Sequence, residues 1–280
     1  MDQHALSLIV PVQPKQSAFA GALLVASTVV TAATCQSPTV SPSIGVINSK
    51  WQEFSSNGSR LVEENGILHT THLQARMQCN ETEWHINWER SKGQRNYEGI
   101  TNTLQPAISR TDIDEQAMRV SAVIPLHGQW FGGLGIEQRN TSRHINSIEQ
   151  ATGYFEQFQK RSVLIGLLYQ YPVTDAATLS AALWIGQLRQ GQVRLDLPDT
   201  STTSLSLGAG QVTEASLTWS SRISPTPGWS WSYSLHWHQS RTAAGTSEAI
   251  MSNGHLKGSA RQPQTNIQSM GMLGSLIYNY

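Results

Sequence analysis

Cysteine is almost missing from this chain: Cys35 and Cys79 are the only two among 280 residues, which excludes a multi-disulfide scaffold and a thiolate-rich metal centre. Charge is sparse as well. Asp, Glu, Lys and Arg together make up 14%, with 19 basic and 19 acidic residues and zero formal net charge, so no nucleic-acid partner is expected. Beyond residue 34 there is no long hydrophobic run and no sustained 3.6-residue periodicity, which argues against a helical bundle and against membrane-spanning helices. Catalytic signatures are missing too. No Gly-x-Ser-x-Gly elbow, His-Glu-x-x-His pair, Walker loop or Rossmann fingerprint occurs, and no cofactor is expected.

The one long apolar run, Ser17 to Thr34, follows a single cation, Lys15. It reads as a signal peptide, and Val30 and Ala32 suit cleavage after Ala32. An inner-membrane anchor would need roughly 20 apolar residues, and a lipoprotein cysteine at position 35 would follow the unsuitable Thr34. The expected organisation is a signal peptide over 1–32, a short lead over 33–44 and one β-barrel over 45–280.

Two-residue alternation recurs from there to the C-terminus. From Trp229 to His238, Trp229, Trp231, Tyr233, Leu235 and Trp237 share one face, while three serines, His236 and His238 share the other. Similar segments start at Trp84, Met118 and Val163, with less regular ones at Trp130–Arg139, Thr178–Arg189 and Glu214–Ile223. Weaker ones fall at Gly45–Phe54 and Ile67–Gln78, and the last runs from Met270 to Tyr280. The count is about ten strands, with eight and twelve open, in a closed antiparallel transmembrane up-and-down barrel. Such a barrel explains a mean hydropathy of −0.30 beside 9 Trp and 7 Tyr, because only alternate residues meet lipid. A secreted soluble β-sandwich is the alternative fold.

Short links are expected at Cys79–Thr82, His127–Gly128, Pro172–Ala176 and Ser224–Gly228, and long polar loops at Arg95–Gln116, Asn140–Lys160, Gly191–Thr213 and Gln239–Ile267. That alternation suits short periplasmic turns and long outer loops, with both mature termini periplasmic. Trp84, Trp130, Tyr169, Tyr171, Trp229, Trp231, Tyr278 and Tyr280 then form an aromatic girdle.

The terminal stretch Met-Gly-Met-Leu-Gly-Ser-Leu-Ile-Tyr-Asn-Tyr resembles the C-terminal signature of bacterial outer-membrane β-barrels, with Gly274 one place from the usual glycine position. The resemblance covers Gly45 to Tyr280. It implies a Gram-negative outer membrane, lipid around the barrel and an assembly machinery that reads the last strand. The strand count is similar to that of the omptin proteases, whose paired aspartates and Asp-His couple do not align onto this chain.

With the aromatic faces toward lipid, His85, Asn87, Glu89, Arg119, Glu137, Arg139, Glu214 and Arg222 become lumenal. Opposite charges in a small barrel either pair into a plug or line a narrow, porin-like conduit. His236 and His238 share a face and are two metal-ligand candidates, too few for a site. Asp112 and Asp114, with His144, form a candidate acid and base set for hydrolysis at the outer rim. Cys35 and Cys79 could pair in the periplasm. The leading reading is a non-enzymatic envelope protein, surface platform or conduit. An outer-membrane hydrolase acting on peptides or lipids is the alternative, and no surface ligand is indicated.

Overall fold

The computed structural model describes residues 35–100, 105–149, 152–198, 200–223, 228–252 and 255–279. The expected signal peptide, most of the Ser224–Gly228 link and Tyr280 lie outside the described residues. Thirteen strands are present: β1 Thr39–Phe54, β2 Arg60–Cys79, β3 Thr82–Ile100, β4 Pro106–His127, β5 Trp130–Ile145, β6 Tyr154–Thr174, β7 Ala177–Asp196, β8 Thr203–Ser206, β9 Gly210–Arg222, β10 Trp229–Thr242, β11 Ser247–Ser252, β12 His255–Arg261 and β13 Gln264–Asn279. Ten of them close a barrel. The order runs β6-β5-β4-β3-β2-β1-β13-β10-β9-β7, and β7 pairs back to β6. Every pairing is antiparallel. The soluble sandwich is thereby excluded, because one continuous sheet closes on itself instead of packing face to face against another.

Alternation decides which way each side chain points. On β10, Tyr233 and Leu235 are exposed outward, while Ser232 and Ser234 are buried inward. On β6, Val163, Ile165, Leu167, Tyr171 and Val173 are exposed and Ser162 and Leu164 buried. Exposed apolar side chains on nearly every barrel strand make a continuous outer band, something a water-soluble surface does not carry over such an area. From Val163 to Val173 the climb, at about 3.3 Å per residue and a tilt of about 40°, is roughly 25 Å, the height of a membrane barrel's apolar belt.

The strands do not stop where the belt does. β2 to β7 have 16 to 22 residues each. Their continuations turn polar side chains outward, Glu63, Arg90, Lys92, Asp114 and Arg161, as β1 does with Lys50. This corrects the four long loops. β3 runs on to Ile100 and β4 starts at Pro106, β5 runs to Ile145 and β6 starts at Tyr154, and β7 continues to Asp196. Beyond the belt both faces are polar enough that alternation disappears from the sequence, although the ladder continues. The loop after β7 contains β8, which extends the edge of β7, and the loop after β10 contains the β11–β12 hairpin.

All long connections leave one end of the barrel, here the loop end. The links at 80–81, 128–129, 175–176 and 223–228 leave the other, the turn end, together with Thr39 and its partner Asn279. Asn80 and Gly128 take positive φ angles of 53° and 58°, the left-handed geometry that two-residue hairpin turns favour. β1 begins at Thr39, so the barrel takes in the last part of the expected 33–44 lead. Pro42 had masked that alternation; its ring points outward and is exposed, which a strand tolerates where no ladder donor is needed.

Cys35 and Cys79 are joined by a disulfide with Cα atoms 4.1 Å apart. Together with a bond from Gln36 N–H to the Gln78 carbonyl, it ties the segment before β1 to the end of β2. The bond closes a loop of sequence separation 44. Replacing both cysteines by serine is therefore expected to lower unfolding stability by about 2–4 kcal/mol. Urea titration of the oxidised protein and the double variant measures this, and coincident midpoints would refute it.

Candidate functional site

The candidate site is the lumen, and it is built in levels. At the turn end lies an open cavity of about 310 Å³. Its β1, β9, β10 and β13 walls are rich in hydroxyls, including Ser43, Thr218, Ser234 and Ser275; the adjoining β2 and β3 wall carries His72, Arg76, His85 and Asn87. Ser43 and Ser275 hydrogen-bond at 2.7 Å, and Thr218 and Ser234 at 2.8 Å.

Above it stands the first ion network. Arg119 on β4 pairs with Glu137 at 2.6 Å and with Glu214 across the lumen. Arg139 donates to Glu115 at 2.5 Å and to Glu137 at 3.1 Å, and lies 3.6 Å from Glu89. The Nδ1 of His238 is 3.0 Å from Glu214. Arg119 also sits over the Trp184 ring at 5.6 Å. Glycine makes room for this indole: a Cβ at Gly133 or Gly166 would come within 2.5 or 2.6 Å of it, far inside van der Waals contact.

A second network fills the part of the lumen beyond the belt. Arg143 donates to Glu53 at 3.1 Å and to Glu64 at 2.7 Å, and pairs with Glu156. Its guanidinium lies 4.2 Å from the Trp51 ring centroid. Thr111 donates to Glu64 at 2.8 Å, and Arg95 donates to Ser49 at 2.7 Å. Trp51, Phe158, Val193, Leu195, Leu205 and Ile267 pack beside it, so β8 contributes to the seal through Leu205. An array of this kind is strongly destabilised if one partner is removed, because the others are left charged and dry.

The consequence is a closed cross-section. Trp51, Glu64, Arg95, Thr111, Arg143, Phe158, Val193, Thr242 and Thr265 come from nine of the ten barrel strands, and each has essentially no exposed surface. A water-filled passage would leave its lining wet. None of these nine is wet.

Of the residues singled out from sequence, Asn87, Glu89, Arg119, Glu137, Arg139 and Glu214 line the cavity or its ceiling, and His85 lies on its wall. Arg222 shares the inward parity but sits exposed at the turn-end mouth. His236 and His238 face the lumen, and among the described residues no three metal-ligating side chains gather to hold an ion. Asp112, Asp114 and His144 are not at the rim of a cleft. They project from the convex outer wall, with Asp112 opposite His144 in the β4–β5 register. Asp114 is held by Arg90 at 2.7 Å and Lys92 at 3.1 Å, and that pairing, above the belt, keeps its carboxyl below the ordinary range, which makes it a poor base. Asp112 accepts a hydrogen bond from Gln94.

The girdle residues Trp84, Trp130 and Tyr171 are exposed and outward at the turn-end margin of the belt. Trp130 lies tilted against Tyr169, with centroids 4.7 Å apart, and Trp229 against Tyr278 at 4.8 Å. Trp231 packs edge-on against Tyr233 at 5.0 Å. Missed from sequence were Glu53, Glu64, Arg95, Arg143, Glu156 and Lys160. A signal existed: Glu137, Arg139, Thr141 and Arg143 keep one parity along β5, so the lumenal face assigned to the first two carries on to the last.

Solved structures supply the comparison. The outer membrane protease OmpT of Escherichia coli superposes with a TM-score of 0.53, at 10% identity, covering 91% of this chain and 100% of that one. The chain has an outer-membrane β-barrel fold. The beta domain of the Bordetella autotransporter BrkA (TM-score 0.42, 11% identity, covering 86% of this chain and 100% of that one) and neisserial surface protein A (0.40, 8%, 88% and 99%) are more distant matches. No family model matches the sequence, and no curated protein does.

Proposed function

We propose that this barrel is an integral protein of a Gram-negative outer membrane that serves as a sealed envelope and surface-interaction scaffold, and neither conducts solutes nor catalyses a reaction. The observation that carries this reading is the dry ring from Trp51 to Thr265: nine strands meet in one fully buried section. The porin-like conduit requires the opposite. The apolar belt, the aromatic margin and the outer-membrane fold support residence in that membrane with lipid as the immediate partner. Turns shorter than the opposing loops support a periplasmic turn end holding both mature termini, with the C-terminal strand presented to the assembly machinery. The loop end, where the strands rise beyond the belt and carry β8 and the β11–β12 hairpin, is then the outer surface. The hydrolase alternative draws no support from Asp112, Asp114 and His144, which lie on a convex wall with Asp114 already ion-paired.

Electrical recording from the folded protein in a planar bilayer tests the seal. Insertion without a steady conductance is the expected outcome. A stable open level in the unmodified protein would overturn the reading.

A further inference from the structure

The cavity at the turn end is more than a gap below the plug. It has one closed end and one open end, and at about 310 Å³ it stands at the small-ligand end of protein pockets, roughly 300–1,000 Å³. Its fixed charges are already matched: Arg119 is paired with Glu137 and Glu214, Arg139 with Glu115, and Arg76 lies 3.8 Å from Glu83. An anionic ligand would therefore have to displace an existing partner of these arginines. Hydroxyls are the largest polar group of the remaining lining, beside His72, His85, Asn87 and His236, and a hydroxyl already bonded to a neighbour can still donate or accept once more.

Two features of the inner end point to a ligand. Ser121, only 2% exposed, has an Oγ without a hydrogen-bond partner, and the Nε of Arg119, two residues along the same strand face, is also without one. Unsatisfied buried polar atoms are costly; others occur in the sealed plug at Glu64, Arg95 and Arg143, whereas Ser121 and Arg119 belong to the lining of an open cavity. Beside them stands the Trp184 indole, which also borders the cavity. Hydroxyl walls, matched charges, an aromatic ring and unsatisfied groups at the closed end together favour an uncharged molecule with many hydroxyls. We propose that the cavity binds a small neutral polyhydroxylated solute, of the size and class of a monosaccharide, admitted from the turn end.

Saturation-transfer NMR tests this on the full barrel, held in a detergent without a sugar head group, with D-glucose as the added solute. Transfer to glucose is expected in the unmodified protein. Ser121→Val should weaken it about tenfold, the loss of roughly one buried hydrogen bond. Ser234→Phe, which fills the cavity, should abolish it. Heat-modifiable gel migration shows whether each variant is folded, and Thr218→Leu replaces Ser234→Phe if that protein is not. Absence of transfer in the unmodified protein, undiminished transfer in a folded filled variant, or displacement of glucose by inorganic phosphate would each overturn the proposal, the last by revealing an anion site.

Discussion

Replacing Ile165 by arginine is expected to destabilise the folded barrel by about 2–4 kcal/mol, the cost of a cation near the midplane of the apolar belt. Ile165 is 60% exposed and points outward between Val163 and Leu167. Its environment is lipid, where a guanidinium loses its hydration and gains no partner. The same substitution at Gln157, on the same strand and the same outward face, is expected to change stability by no more than about 0.5 kcal/mol, because that part of β6 has left the belt. Arg161 already stands between the two positions. Urea unfolding in lipid vesicles measures both variants. Equal costs would show that the apolar band is not a membrane belt, or that its border is misplaced.

The second large effect lies inside. Arg143→Met is expected to cost about 3–5 kcal/mol, although the side chain keeps its approximate length and apolar stem. Arg143 is 1% exposed and contacts Glu53, Glu64 and Glu156. Removing it leaves three carboxylates gathered in a dry interior, where Arg95 reaches only Glu64, at 3.6 Å. Adding Glu156→Gln should restore part of the loss, since one of the orphaned charges disappears with it. The double variant is therefore expected to be more stable than the sum of the single costs predicts, a coupling that a double-mutant cycle in the same unfolding assay reads directly. Simple additivity would mean that the network contributes by packing alone. One guanidinium thereby ties β1, β2, β5 and β6 together and fills the lumen at that level.

Legibility followed the solvent on each face. Within the belt, lipid outside and hydroxyls or ion pairs inside impose strict alternation, so β6 and β10 could be placed and oriented from residues such as Ile165, Tyr233 and His236. Beyond the belt water replaces lipid, the outward positions become Gln, Asn, Lys and Arg, and alternation fades while the hydrogen-bonded ladder persists. Arg95, Thr111 and Arg143 were therefore assigned to loops. Pro42 hid the start of β1 in the same way, by breaking the pattern without breaking the strand. For the candidate site, the lumenal identity of Arg119, Glu137, Arg139 and Glu214 followed from parity alone, but which of them meet did not. Arg119 and Glu214 are 95 residues apart, and only closure of β7 onto β6 sets the circumference across which they touch.

The sequence by itself determined the fold class, the approximate strand number, the outward aromatic and aliphatic faces and the inward polar ones, because a two-residue repeat needs only local geometry and one solvent boundary. The height of the barrel, the plugging of its lumen and the confinement of its open space to the turn end were decided by the tertiary structure. Those features depend on which side chains from distant strands reach one level of a closed cylinder, and Coulomb pairing, cation–π contact and the niche for Trp184 arise only once the cylinder has closed.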